Sequence, residues 1–78
     1  RVGVLSTPYE CYVEVRNEPG TIGRLTSALG DERINLRNIG LIEERPGGPG
    51  SLKLSFANEH DLERAMAVLI RSGYRVQR

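Results

Sequence analysis

The chain has almost none of the side chains that carry covalent, redox or metal chemistry. Its 78 residues include one cysteine, one histidine, one methionine and no tryptophan. A single cysteine, Cys11, excludes an internal disulfide and a cysteine-built zinc cluster. Its place in an apolar, alternating stretch reads as a buried, inert thiol. His60, the sole histidine, lies among acids at a helix start and reads as an exposed residue there. An excess of one charge is missing too: 11 Lys and Arg against 10 Asp and Glu leave a net charge of +1. With the signs interspersed, there is no basic stripe for nucleic acid. No apolar stretch approaches the roughly 20 residues that span a bilayer, and no signal peptide is visible. The expectation is a cytoplasmic protein with neither membrane nor nucleic acid as partner.

Aromatic residues are scarce, three Tyr and one Phe. An RNA-binding sheet stacks bases on exposed aromatics of its central strands. Here Ser51, Lys53 and Ser55 occupy the open face of one such strand, and only Tyr12 that of the other. Nor is there a cysteine pair for a soft metal, or a nucleophile and base beside Arg16 for phosphate chemistry. The residues therefore point away from catalysis. A chain of this length makes one domain that buries only about 60% of its unfolded surface, so a partner covering apolar area would matter to its stability. The opening Arg1-Val2-Gly3-Val4-Leu5-Ser6-Thr7-Pro8 reads as a linker from a longer polypeptide, with the domain itself at 9–78.

What is present is a clear order of elements. Tyr9 to Val15 alternates as a strand, with Tyr9, Cys11, Val13 and Val15 inward and Glu10, Tyr12 and Glu14 outward. Ile22, Leu25, Ala28 and Leu29 recur at helical spacing, predicting a helix over Ile22 to Asp31. Ile34 to Glu44 is a second extended run whose alternation changes phase near Asn38, which a one-residue slip would reconcile and which suggests a β-bulge or an irregular strand entrance. Arg45-Pro46-Gly47-Gly48-Pro49-Gly50 reads as a hairpin loop that cannot continue a strand. Ser51 to Phe56 is the cleanest strand, with Leu52, Leu54 and Phe56 inward. Asn58 then caps a second helix with acids in its first turn. Leu62, Ala65, Met66, Leu69 and Ile70 form its stripe, Gly73 its end, and Tyr74 to Gln77 a last short strand. This β-α-β-β-α-β order predicts an α+β, ferredoxin-like sandwich, a four-stranded antiparallel sheet with two helices on one face.

The chain is organised around Asn17-Glu18-Pro19-Gly20-Thr21-Ile22-Gly23, between the first strand and the first helix. Pro19 suits a first helical turn, and Gly20 and Gly23 let another backbone or a small molecule approach. The unpaired N–H groups of that turn favour a carboxylate or phosphate. Glu18 could receive an ammonium, so the pair suits a free amino acid. The same residues would also make a well-capped turn with no ligand.

That loop, with Arg33-Ile34-Asn35-Leu36-Arg37-Asn38-Ile39 after the helix, resembles an ACT domain over about Tyr9 to Gln77. ACT domains are regulatory modules that bind small ligands, usually amino acids, and usually pair as dimers. The resemblance implies a ligand between the loop of one copy and the second strand of its neighbour. It nominates Asn17, Glu18, Pro19, Gly20, Thr21 and Ile22, with Asn35, Asn38, Ile39, Gly40 and Leu41 from the strand. Backbone carbonyls or Asn35 are alternatives to Glu18 for the ammonium. Asn38 to Glu43 and Ser51 to Phe56 are most similar to the C-terminal ACT domain of bacterial prephenate dehydrogenases, whose NAD lies in a separate preceding domain. Glu43-Glu44-Arg45-Pro46 is similar to a Glu-Ser-Arg-Pro motif of the phenylalanine-sensing prephenate dehydratases, with Glu44 in place of Ser. The resemblance implies a non-catalytic, dimeric sensor of an aromatic amino acid, tyrosine first, attached to a catalytic domain and holding no cofactor itself. A purely structural dimerisation module and a dehydratase's ACT domain are the alternatives.

Overall fold

The computed structural model describes residues 9–43 and 49–78. The proposed linker at 1–8, and the motif and hairpin-loop residues at 44–48, lie outside them. Six elements follow in the expected order: β1 (Glu10–Arg16), α1 (Thr21–Asp31), β2 (Asn38–Glu43), β3 (Pro49–Ser55), α2 (Glu59–Arg71) and β4 (Arg75–Gln77). The strands form one sheet in the order β2-β3-β1-β4, every neighbouring pair antiparallel. The α+β, ferredoxin-like sandwich is thus the observed fold. Because β3 opposes both β1 and β2, those two strands run in the same direction. That fact governs the site.

Alternation drives the core. Cys11, Val13, Val15, Leu52 and Leu54 point to the helical side and are buried, as are Leu25 and Leu29 of α1 and Leu62, Ala65 and Leu69 of α2. Two stripe residues fall elsewhere than expected. Ile70 is 56% exposed and Val68 takes its place in the core. At about 100° per residue, Val68 and Ile70 lie on opposite flanks of the Leu62, Ala65 and Leu69 arc, roughly 60° and 80° outside it, and the fold covers only the Val68 flank. In α1, Ile22 is 49% exposed and Thr21 is buried instead. Cys11 is fully enclosed, and burial pushes its thiol from 9.0 up to about 11. That fits the inert reading of the cysteine.

Both helices end in the same way. Ile34 N–H donates to the Leu29 carbonyl at 3.0 Å and Arg33 N–H to that of Gly30 at 2.9 Å, the paired bonds of a Schellman motif. Tyr74 and Gly73 repeat the pattern on Leu69 and Ile70, at 3.0 Å each. Gly73 adopts the left-handed φ of 98° that this position needs; at the end of α1 the position falls to Arg33, with φ 58°. Arg64 then donates to the Glu32 carbonyl at 2.6 Å, tying the end of α1 to α2. At the start of α2, Asn58 Oδ1 accepts the Asp61 N–H at 2.8 Å, as a capping residue should.

The second extended run is corrected in two respects. Its first part, Ile34 to Arg37, is irregular backbone, and β2 begins only at Asn38. Ile34 and Leu36 still reach the core, so of the two readings of the phase change near Asn38 the irregular strand entrance holds and the bulge does not. The bulge lies further on, where Leu41 opposes Leu52 and Glu43 opposes Ser51, leaving Ile42 as the extra residue. Pro49 and Gly50, expected in the loop, open β3 opposite Arg16 and Val15. A first strand position is one that proline tolerates. Ser55, expected on a solvated face, is 4% exposed; it sits between Glu10 and Asn38 on the flanking strands.

Candidate functional site

The turn between β1 and α1 is built differently from the sequence expectation. Pro19 is not in the first helical turn. Thr21 N–H donates to the Glu18 carbonyl at 3.2 Å, closing a β-turn with Pro19 and Gly20 at its centre. Gly20 has φ 84° and ψ −6°, the third position of a type II turn, and it also serves as the N-cap of α1. The first helical bond runs from Arg24 N–H to the Gly20 carbonyl, 2.9 Å. Gly20 has no side chain to cap the helix, and α1 has no acid in its first turn. The N–H groups of Ile22 and Gly23 thus receive no cap from Gly20 and belong to the first-turn donors that seek an acceptor outside the helix.

The open side of Gly20 is not empty. A β-carbon there would lie 3.0 Å from Arg24 Nη1. The guanidinium thus lies over the glycine at the positive end of the helix dipole, where a cation gains nothing from the dipole. Nothing lies within 4 Å of a β-carbon built at Gly23. Glu18, offered above for an ammonium, has its carboxylate 3.4 Å from Arg16 Nε. Both side chains are more than half in solvent, so that pair is readily exchanged.

Two cavities flank this turn. The first, of about 60 Å³, is a cleft on the helical side of the sheet, lined by Val15, Arg16, Asn17, Glu18, Thr21, Ile22, Leu41, Gly50 and Leu52. Its floor is apolar, and Ile22 and Leu41 form opposite rims, each about half exposed. The second is a wider groove of about 440 Å³ toward β4 and α2, whose lining includes Glu14, Arg16, Arg24, Tyr74 and Arg75. Glu14 and Arg75 pair across it at 3.3 Å.

Of the nominated residues, the cleft gathers Asn17, Glu18, Thr21, Ile22 and Leu41. Pro19 and Gly20 shape the turn without lining the cleft. Asn35, Asn38, Ile39 and Gly40 do not join it within this chain. Asn38 stands level with Glu10, both opposite Ser55, whereas the turn begins after Arg16 at the other end of the 7-residue β1. About 20 Å separates those levels. Asn38 Oδ1 instead accepts the N–H of Ile39 at 2.9 Å. The floor residues Val15 and Leu52 were read as core alone; their positions at the open end of the sheet emerge only from the register. Arg24 stands off the apolar stripe of α1, and only its approach to Gly20 brings it to the site.

Among the described residues no group of His, Cys, Asp and Glu could hold a metal ion. No helix among them is long and apolar enough to cross a membrane. An antiparallel β2-β3-β1-β4 sheet under two helices, opened by a Pro-Gly turn at the first helix, defines a small α+β module with its cleft at that turn. The ACT domain family profile matches residues 9–72, and the chain belongs to the ACT domain family.

Among its relatives, the prephenate dehydrogenase of Bacillus subtilis (strain 168) is 40% identical over 63 residues, 81% of this chain and 17% of that protein. The chain thus spans about a sixth of that relative's length. The crystal structure of the ACT domain of prephenate dehydrogenase from Bacillus anthracis superposes with a TM-score of 0.79 at 32% identity. The match covers 87% of this chain and 99% of that one. The prephenate dehydratase of Staphylococcus aureus subsp. aureus Mu50 gives 0.53 at 20% identity, over 87% of this chain and 27% of that one. That likeness is one of fold alone.

Proposed function

We propose that this chain is the effector-binding domain of a cytoplasmic prephenate dehydrogenase of tyrosine biosynthesis. In this reading 1–8 is the linker, 9–78 the ACT module, and NAD belongs to a separate catalytic domain. Two copies pair through β2, and an aromatic amino acid, tyrosine first, binds at the seam. Its carboxylate takes the free N–H groups of Ile22 and Gly23. Its side chain lies between Ile22 and Leu41, over Val15 and Leu52. The identities of 40% and 32% to dehydrogenases, against 20% to the dehydratase, favour the first enzyme as the parent.

The observation that carries the proposal is the division of the nominated residues between the two ends of the sheet. The cleft that joins the turn to Leu41, about 60 Å³, is well below the roughly 300 Å³ at which small-molecule pockets begin. The 440 Å³ groove beside it is large enough but includes no residue of β2. One copy therefore offers half a site. A second copy related by a two-fold axis normal to the sheet would run its β2 antiparallel to the first. Its Asn35 and Asn38 would then approach the first copy's Leu41 and helix start, supplying the missing wall. Tyrosine would favour that paired arrangement and shift the catalytic domain's equilibrium by ~1–3 kcal/mol.

The test is thermal melting of the isolated domain with L-tyrosine, L-phenylalanine and L-tryptophan, beside its mass by analytical ultracentrifugation. A ligand that binds only the native state raises the midpoint, by about 2.7 kcal/mol of added stability at 100 times its dissociation constant. The expected result is a dimer that tyrosine stabilises. A dimer that none of the three stabilises would favour structural pairing alone, a reading to which the Arg24 guanidinium over Gly20 lends some weight.

A further inference from the structure

Thr21 was nominated for its place in the loop, yet its hydroxyl is not available to a ligand. Its Oγ1 donates to the Arg16 carbonyl, the last of β1, at 3.0 Å, and the residue is 8% exposed. The same carbonyl also accepts the Glu18 N–H at 2.9 Å. The backbone N–H of Thr21 is itself spent on Glu18. One residue thus fastens the turn twice, to the end of the strand and across the Pro-Gly step. With Val15, Arg16 and Glu18 it lines both the cleft and the wider groove.

We infer that Thr21 is the positioning residue of the ligand turn: its hydroxyl clasps the first helical turn to β1 and so aims the N–H groups of Ile22 and Gly23 into the cleft. The inference rests on the proposed site, because only a bound carboxylate would give that aim a consequence. A hydroxyl whose proton is given within its own chain cannot donate to the ligand's carboxylate, so its effect on that group is through preorganisation. A looser turn would have to be ordered at the moment of binding, and the affinity would fall accordingly. Valine nearly matches threonine in shape but lacks the donor, which isolates the hydrogen bond from packing; serine keeps the donor and lacks the methyl.

The experiment compares Thr21→Val and Thr21→Ser with the parent chain by calorimetric titration with L-tyrosine and by amide hydrogen exchange at 17–23. In Thr21→Val, exchange in the turn speeds up and the dissociation constant rises about five-fold, the loss of one ordinary hydrogen bond. Thr21→Ser restores both. A merely structural role would lower the melting temperature of Thr21→Val and leave the native-state affinity where it was; that outcome overturns the inference, as does unchanged exchange. Failure of the unaltered chain to bind tyrosine overturns the proposed site and the ligand half of this inference together. The exchange data then still decide whether the clasp exists.

Discussion

Two residues have chemistry that their surroundings fix. Gly20 has φ 84° and meets Arg24 where a β-carbon would stand. Aspartate tolerates the left-handed region better than most residues, and its carboxylate would find that guanidinium and the helix start. Gly20→Asp should therefore fold, occupy the anion's place with its own charge, and abolish the tyrosine inhibition that the proposed function expects of a full-length enzyme. Retained inhibition at normal effector concentrations would count against the site. Cys11 gives a pH dependence. Its thiol ionises near 9.0 when free and near 11 in the fold. Between those values the unfolded chain has lost a proton that the native state keeps, so stability falls as pH rises through the window. Urea unfolding of the native chain and of Cys11→Ala at pH 8.5 and pH 11 should differ by a fall of about 2–3 kcal/mol in the former alone.

Among the elements, the ends of the helices are more instructive than their middles. The Schellman ends of α1 and α2 differ in one residue, Gly73 in one and Arg33 in the other. A non-glycine residue in the left-handed region costs about 1 kcal/mol or more. Arg33→Gly relieves that strain and returns part of the gain as unfolded-state entropy. The expected net effect is about 0.5–1 kcal/mol of added stability, read as a rise in the urea midpoint with unchanged slope. Such ends also mark what could be read from the sequence. Alternation placed β1 and β3 within a few residues, and Asn58 and Gly73 announced the limits of α2. Ile22 and Ile70 were misassigned because apolar spacing alone does not say which flank of a stripe the rest of the fold covers. The second strand was begun too early because Ile34 and Leu36 bury themselves from irregular backbone, which period-two counting cannot distinguish from a strand. In the site, the Pro-Gly step was legible, but its closure as a type II turn was not. Nor was the clasp by Thr21, since both depend on where the end of β1 meets α1.

At the level of the whole molecule, the exposed apolar residues gather unevenly. Leu41 and Ile42 on β2 are 50% and 54% exposed, and Ile22 stands across the cleft at 49%. A second copy covering them would account for their presence. Leu41→Glu places a charge on that surface and should convert the dimer to monomer in ultracentrifugation, with loss of the tyrosine-induced rise in melting temperature. A dimer that persists at micromolar concentration would place the contact elsewhere. The sheet's two borders are unlike. One is β2, six residues long and interrupted by its bulge. The other is β4, three residues long and flanked by exposed Arg75 and Gln77. Strand borders that are short and charged resist annexation by a neighbour. Growth by strand addition thus has one usable side, and two molecules joined there leave no second side to extend. The pair proposed above would then be closed, and a ribbon of many copies would have no way to begin.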